Sequence, residues 1–192
     1  SLRKQYIITA SPVAAIVEPE CHPFQTQDEL FHLLTNQIPP PVIEDPMAHG
    51  MICEPYTAYD YALKNKVVVL KFGIIPHPDY SFIGVSPDRI TPAGTNVEIK
   101  NPLRDPVQKD CDLDFILHHY KYYWHQTQLQ CAVCDLSGTD FVRCGRIPNK
   151  YHILSPSMST VYIPRDYDWW PKYKEKLFEF AARVQRYRES HP

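Results

Sequence analysis

The chain has 192 residues, 44% of them hydrophobic, and a formal net charge of −2. That length and composition fit one globular domain with a sizeable core, and six cysteines are too few for a disulfide scaffold. The charge excludes recognition of nucleic acid by bulk positive potential, so any phosphate attraction must come from a local basic patch.

No apolar run is long enough to span a membrane, and Ser1 to Tyr6 lacks the apolar centre of a signal peptide, which predicts a soluble intracellular protein without membrane contact. The cysteines, at 21, 53, 111, 131, 134 and 144, are expected as free thiols. Cys131 and Cys134 form a Cys-x-x-Cys that could be half of a zinc or iron-sulfur site with Cys144 and Cys21. They stand, however, in a helical apolar pattern with Leu129, Ala132, Val133 and Leu136, where small buried cysteines are ordinary packing. Candidates for a basic patch are Arg3, Lys4, Arg89, Lys100, Arg104, Lys109, Arg143 and Arg146.

Taken in chain order, Gln27 to Gln37 reads as a helix, and Pro39-Pro40-Pro41 separates it from a second running from about Pro46 to Asn65. Pro55 inside the second helix cannot donate to the carbonyl of Met51, which predicts a kink beside Glu54. Lys66 to Ile75, with three consecutive valines, reads as a buried strand. A turn at Pro76-His77-Pro78-Asp79 leads to a strand at Tyr80 to Val85. With the hairpin that follows, these make a three-stranded antiparallel core. A long helix is expected from Leu113 to about Leu136, then strands at Asp140 to Ile147 and at Lys150 to Leu154 or Thr160 to Ile163, and a last amphipathic helix from Tyr167 to Glu189. His118, His119 and His125 fall on the first of these helices without metal-ligand spacing and read as solvated or core histidines.

The chemistry concentrates in Ser86-Pro87-Asp88-Arg89-Ile90-Thr91-Pro92-Ala93-Gly94-Thr95-Asn96-Val97-Glu98-Ile99-Lys100. A Pro/Gly turn signal between β-branched residues predicts a hairpin. A turn centred near Ala93 places Asp88 opposite Glu98, with Cβ atoms roughly 5 Å apart. Alternation puts Lys100 on the face of Glu98 and turns Ile99 to the core. Two opposed carboxylates repel, and one lysine only partly compensates, so a divalent cation between the acids is the natural expectation. In the following helix, Tyr122, Gln126 and Gln130 share a face.

Gly50-x-x-x-Glu54, Ser86-Pro87-Asp88, Glu98-Ile99-Lys100 and Gln126-Thr127-Gln128 occur in the order and approximate spacing of the phage lambda exonuclease and YqaJ-type viral recombinase family. The opening Arg3-Lys4-Gln5-Tyr6-Ile7-Ile8-Thr9-Ala10-Ser11 is similar to that family's Arg-x-x-x-Ile-Thr-Ala-Ser element. The resemblance implies an α/β fold with a restriction-endonuclease-like, PD-(D/E)xK core, in which a mixed central sheet with an antiparallel hairpin is flanked by helices. It implies a metal-dependent exonuclease that digests one strand of duplex DNA from its 5′ end. Glu54, Asp88, Glu98 and the carbonyl of Ile99 would hold one or two Mg²⁺ ions, with Mn²⁺ able to substitute. Lys100 would activate the attacking water, and Gln126 would orient that lysine or the phosphate. Arg3 or Lys4, with Ser11, Ser86 and Gln126, would form a 5′-phosphate pocket, and Arg104 would contact DNA.

Lys4 stands where the family usually has arginine, and arginine grips phosphate with two parallel hydrogen bonds where lysine is a point charge. The implied partners are DNA ends, a single-strand annealing protein and further copies of the chain, in the nucleus or cytoplasm of a host cell if the source is viral. The residues leave two alternatives open: an endonuclease on the same core, and a catalytically silent DNA-end-binding module.

Overall fold

The structure, a computed structural model, describes residues 5–103, 111–146, 150 and 157–192. Among the described residues six α-helices and six strands lie in the order α1 (Ala14–Val17), α2 (Gln27–Leu34), α3 (Asp45–Asn65), β1 (Ile75–Pro76), β2 (Gly84–Val85), β3 (Arg89–Ile90), β4 (Thr95–Lys100), α4 (Leu113–His119), α5 (Lys121–Cys134), β5 (Gly138–Cys144), β6 (Met158–Pro164) and α6 (Trp169–Ser190). The principal sheet runs β3-β4-β5-β6 and is mixed: β4 pairs parallel with β5, and the flanking pairs are antiparallel. The parallel pair requires a crossover, which α4 and α5 supply. Among the described residues no helix is long and apolar enough to cross a membrane.

The expected fold class is therefore present, with local corrections. Lys66 to Ile75 is not a buried strand. Lys66 caps α3 in the left-handed conformation (φ 54°), and the run then meets the sheet only at one bridge, Leu70 with Ile90. β3 is two residues long and gives the pairing nothing to propagate along, so Val68, Leu70 and Phe72 stay exposed. Nor is there a three-stranded antiparallel core, because β1 and β2 form a separate two-stranded pair. The helix expected over Leu113 to Leu136 is two helices broken at Tyr120, whose backbone (φ −133°, ψ 35°) leaves the helical region. Of the two alternatives for the last strand, the second corresponds to β6; residues 151–154 lie outside the described residues. The helix α3 runs through Pro55 as one element.

The main core is built by helical spacing. Trp169, Tyr173, Leu177, Phe180, Ala181 and Val184 make one buried stripe of α6, which packs on the wholly buried α1 and on Leu129 and Val133 of α5. Thr26 and Glu29 close α2 with a reciprocal capping box: the Thr26 hydroxyl accepts from Glu29 N (3.2 Å), and the Glu29 carboxylate accepts from Thr26 N (2.8 Å). A second cluster, Ala58, Tyr61, Val97, Ile99 and Val142, fastens α3 to β4 and β5.

One polar knot lies inside the main core. Trp169 Nε1 donates to His125 Nδ1 (2.9 Å), so the ring proton sits on Nε2 and is donated to Glu18 Oε2 (3.0 Å); Lys121 also donates to Glu18. Burial pushes the His125 imidazole down to about 4, against the pull of Glu18. Burial would raise the Glu18 carboxyl, but the bonds from Lys121 and His125 hold it below the usual range. Between about pH 6.5 and 4 the unfolded chain protonates this histidine and the native state does not, so stability falls as pH falls through that window. Loss of Glu18's ionised form at still lower pH acts in the same direction. Urea unfolding from pH 7.5 to 4.5 is expected to lose on the order of 2–3 kcal/mol from this histidine, with a shallower loss in His125→Gln. The contribution is read as the difference in slope between parent and variant, because Asp88, whose raised carboxyl takes up a proton in the native state over the same window, acts in the opposite direction; an identical slope in the variant would contradict it.

Candidate active site

The hairpin positions the site. Its register pairs Arg89 with Val97 and Ile90 with Asn96, so one step further out Asp88 stands opposite Glu98. Gly94, at φ 80°, occupies the turn position that a side chain would strain, and Thr91 closes the turn by accepting from Gly94 N (2.9 Å) and, through its hydroxyl, from Thr95 N (3.1 Å).

Glu98 is 2% exposed and is neutralised from within the protein. Its Oε1 accepts from Lys100 Nζ (2.6 Å) and from Gln126 Nε2 (2.6 Å), and its Oε2 accepts from Gln130 Nε2 (2.8 Å). Lys100 also reaches Gln126 Oε1 (3.5 Å) and lies 4.6 Å from the centroid of the Tyr123 ring. Burial disfavours its ammonium, but the charge of Glu98, with Tyr123 and Asp88, outweighs that and raises its pKa further above the ordinary lysine value. Lys100 is a fixed cation at neutral pH. Asp88 accepts from the amide of Ile99 through Oδ2 (2.7 Å). Burial first, then the charge of Glu98, pushes its carboxyl up to about 8, with Lys100 pulling the other way.

Glu54 takes a different place. Its Oε1 accepts from Arg89 Nη1 (2.7 Å) and from Lys71 (3.4 Å), while Arg89 also donates to the Asp88 carbonyl. Glu54 is thus tied to the hairpin by an arginine rather than gathered with Asp88 and Glu98. Among the described residues no group of three or more His, Cys, Asp or Glu side chains is assembled as a metal cage.

Two cavities meet at Lys100. One, of about 270 Å³, is lined by Ser11, Ser86, Asp88, Glu98, Gln126 and Gln130. The other, of about 440 Å³, is lined by Glu54, Ile99, Met47, Met51, Tyr123 and Arg143. Lys100 lines both, so the structure brings Ser11, Ser86, Gln126, Asp88, Glu98, Lys100, Ile99 and Glu54 to one neighbourhood on two sides of the lysine. Arg3, Lys4 and Arg104 lie outside the described residues.

Within the basic patch Arg89 is committed to Glu54, and Arg146 to Asp60 and Thr57. Cys131 is a buried thiol 3.4 Å from the Thr139 hydroxyl, and Cys134 packs partly buried against the main core. Sequence reasoning gave Gln130 no role, although its spacing of four from Gln126 was the signal. It also missed that Arg89, beside Asp88, is the partner of Glu54.

The family profile described as the YqaJ-like viral recombinase domain matches residues 1–140. An uncharacterised protein of Acanthamoeba polyphaga mimivirus is 31% identical over an alignment of 117 residues that covers 54% of this chain and 21% of that protein, so the match spans about a fifth of the viral relative. Among solved structures, the alkaline exonuclease LHK-Exo from Laribacter hongkongensis superposes with a TM-score of 0.67 at 21% identity, covering 98% of this chain and 94% of that one. LHK-Exo in complex with dAMP gives 0.71 at 21% identity, with coverage of 98% and 92%. A phage-related exonuclease from Haemophilus somnus 129PT gives 0.67 at 14% identity, with coverage of 95% and 93%. These likenesses establish the fold. With the profile spanning the hairpin, the acids and the lysine in their expected order, the chain belongs to the YqaJ-like viral recombinase domain family.

Proposed function

We propose that this domain is a metal-dependent DNA exonuclease that hydrolyses one strand of linear duplex DNA from its 5′ end, in recombination, replication or repair of a virus, phage or mobile element. The observation that carries the reading is the buried Glu98, bonded to Lys100 and Gln126 and opposed by Asp88 at the junction of two cavities. The family and the exonucleases of the same fold support it.

The donor set fits a hard divalent cation. The buried Glu98 and the partly buried Asp88 face one lysine, burial and then the charge of Glu98 raise the Asp88 carboxyl, and the donors nearby are carboxylate and carbonyl oxygens. Asp88, Glu98, the Ile99 carbonyl and, on the other side of Lys100, Glu54 would hold Mg²⁺ or Mn²⁺. Such an ion, when bound, supplies Lewis acidity and a water of lowered pKa.

The chain's own residues supply the rest. The Lys100 ammonium, held by Glu98 and stacked on Tyr123, places a positive charge where the attacking water and the scissile phosphate must meet. Gln126 bonds Glu98 with its nitrogen and receives Lys100 with its oxygen, so it fixes both at once. Water adds to phosphorus, the bond to the 3′ oxygen breaks, and that oxygen leaves with a proton on the terminal nucleotide; the shortened strand keeps the 5′ phosphate. Ser11 and Ser86 offer hydroxyls to the terminal phosphate in the smaller cavity, with Arg3, Lys4 and Arg104 assigned to phosphate and DNA backbone by the family pattern. The partners under this reading are DNA ends, a single-strand annealing protein and further copies of the chain, within a host cell.

The test is linear and covalently closed duplex side by side, with Mg²⁺ and with EDTA. Degradation of the linear form alone, abolished by EDTA, is the expected result. Cutting of the circle moves the domain to the endonucleases, and full activity in EDTA rejects metal dependence.

A further inference from the structure

A line of polar groups runs inward from Gln130, in the wall of the smaller cavity. Gln130, which donates to Glu98 Oε2, accepts through its own Oε1 from Asn96 Nδ2 (2.8 Å). The same Asn96 nitrogen donates to Thr139 Oγ1 (3.0 Å), and that hydroxyl lies 3.4 Å from Cys131 Sγ. Gln130, Asn96 and Thr139 are each 0% exposed, and Asn96 and Thr139 are direct partners in the parallel β4–β5 register. We propose that Thr139, Asn96 and Gln130 form a buried hydrogen-bond chain that fixes the carboxylate of Glu98, which makes Gln130 a positioning residue of the hydrolysis proposed above; the inference rests on that reading.

The chain has a direction. Because the Asn96 amide donates a hydrogen bond to the Gln130 carbonyl, the Gln130 nitrogen must face Glu98; the flipped amide would set a carbonyl against a carboxylate and two NH₂ groups against each other. Two amides of one helix face, four residues apart, thereby address the two oxygens of one acid, Gln126 at Oε1 and Gln130 at Oε2. A glutamate's terminal torsion is otherwise broad, and donors on both oxygens remove that freedom.

Packing gives no reason for this arrangement. Asn96 Oδ1 is buried and takes no hydrogen bond among the described residues, an orphan that an apolar filling of the same space would avoid. The fold retains that cost where the chain ends on Glu98.

The test compares Gln130→Met, similar in length but apolar, and Thr139→Val, near-isosteric, with the parent. Measured are kcat and KM on linear duplex with Mg²⁺, binding of Mg²⁺ alone by titration calorimetry on DNA-free protein, and thermal unfolding. Gln130→Met is expected to lose about 10- to 100-fold in both kcat and Mg²⁺ affinity, the range found for residues that orient a ligand from behind, with KM unchanged within about two-fold. Thr139→Val is expected to lose about three-fold in both, and the double variant no more than Gln130→Met alone, because Thr139 acts only through Gln130. The positioning role is overturned if Gln130→Met matches an active parent in turnover and Mg²⁺ affinity, or if the losses add in the double variant and track the fall in unfolding temperature. Should Gln130→Met not fold, Thr139→Val decides alone, parental kcat and Mg²⁺ affinity overturning the role. A parent that neither cleaves DNA nor binds Mg²⁺ overturns the proposed function and the positioning role together.

Discussion

Lys100→Ala is expected to lower cleavage of linear duplex by roughly 10³-fold, equivalent to about 4 kcal/mol of transition-state stabilisation. Among the described residues the lysine is the one cation bonded to Glu98, and it lines both cavities. Its truncation removes the positive charge from the point where phosphate and water must meet. The fold should survive, because Gln126 and Gln130 still donate to both oxygens of Glu98 and the lysine side chain is partly exposed. Binding to DNA ends in EDTA should stay within about two-fold of the parent, since one charge among several phosphate contacts is a small share of such an interface. Parental single-turnover rates for Lys100→Ala would remove the lysine from the chemistry.

Arg146→Ala is expected to destabilise the domain by about 3–5 kcal/mol without touching the site directly. Arg146, 6% exposed, donates to Asp60 and, through Nε, to the Thr57 hydroxyl (3.0 Å). Thr57 also accepts from Asn101 Nδ2 (2.7 Å), whose other bond is to the Cys144 carbonyl (2.8 Å). One hydroxyl thus joins α3 to the ends of β4 and β5, one turn along from Glu54. Truncating the arginine strands the Asp60 carboxylate, nine-tenths buried, without its cation. The unfolding temperature should drop on the order of 10 °C. Arg146→Ala with Asp60→Ala should recover part of the loss, because the stranded charge is gone; a double variant no more stable than the single one would contradict the ion-pair explanation.

How far the fold and the site could be read from the sequence differs by element. The hairpin was legible because Pro92 and Gly94 pin its turn, and a pinned turn fixes every cross-strand pair, including Asp88 opposite Glu98. The shared face of Gln126 and Gln130 followed from helical spacing, and both meet Glu98. What failed was anything that depends on a distant partner. Val67 to Leu70 has the composition of a buried strand, yet a run of β-branched residues does not encode whether a neighbour is long enough to pair with it. The parallel pairing of β4 with β5 was equally invisible, since both strands read alike whichever direction they meet. The protein partner of Glu54 was hidden for the same reason, because it depends on how α3 docks on the hairpin, where the carboxylate takes Arg89.

The central claim is that the Asp88, Glu98 and Lys100 cluster hydrolyses duplex DNA from a 5′ end with a divalent ion. The most direct measurement is a time course on linear duplex labelled at either the 5′ or the 3′ terminus, with Mg²⁺, with EDTA, and with Lys100→Ala in parallel. Early release of the 5′ label while the 3′ label stays on long fragments, lost in EDTA and in the variant, is the expected result. Early release of the 3′ label would contradict the polarity, and equal release by parent and Lys100→Ala would contradict the site.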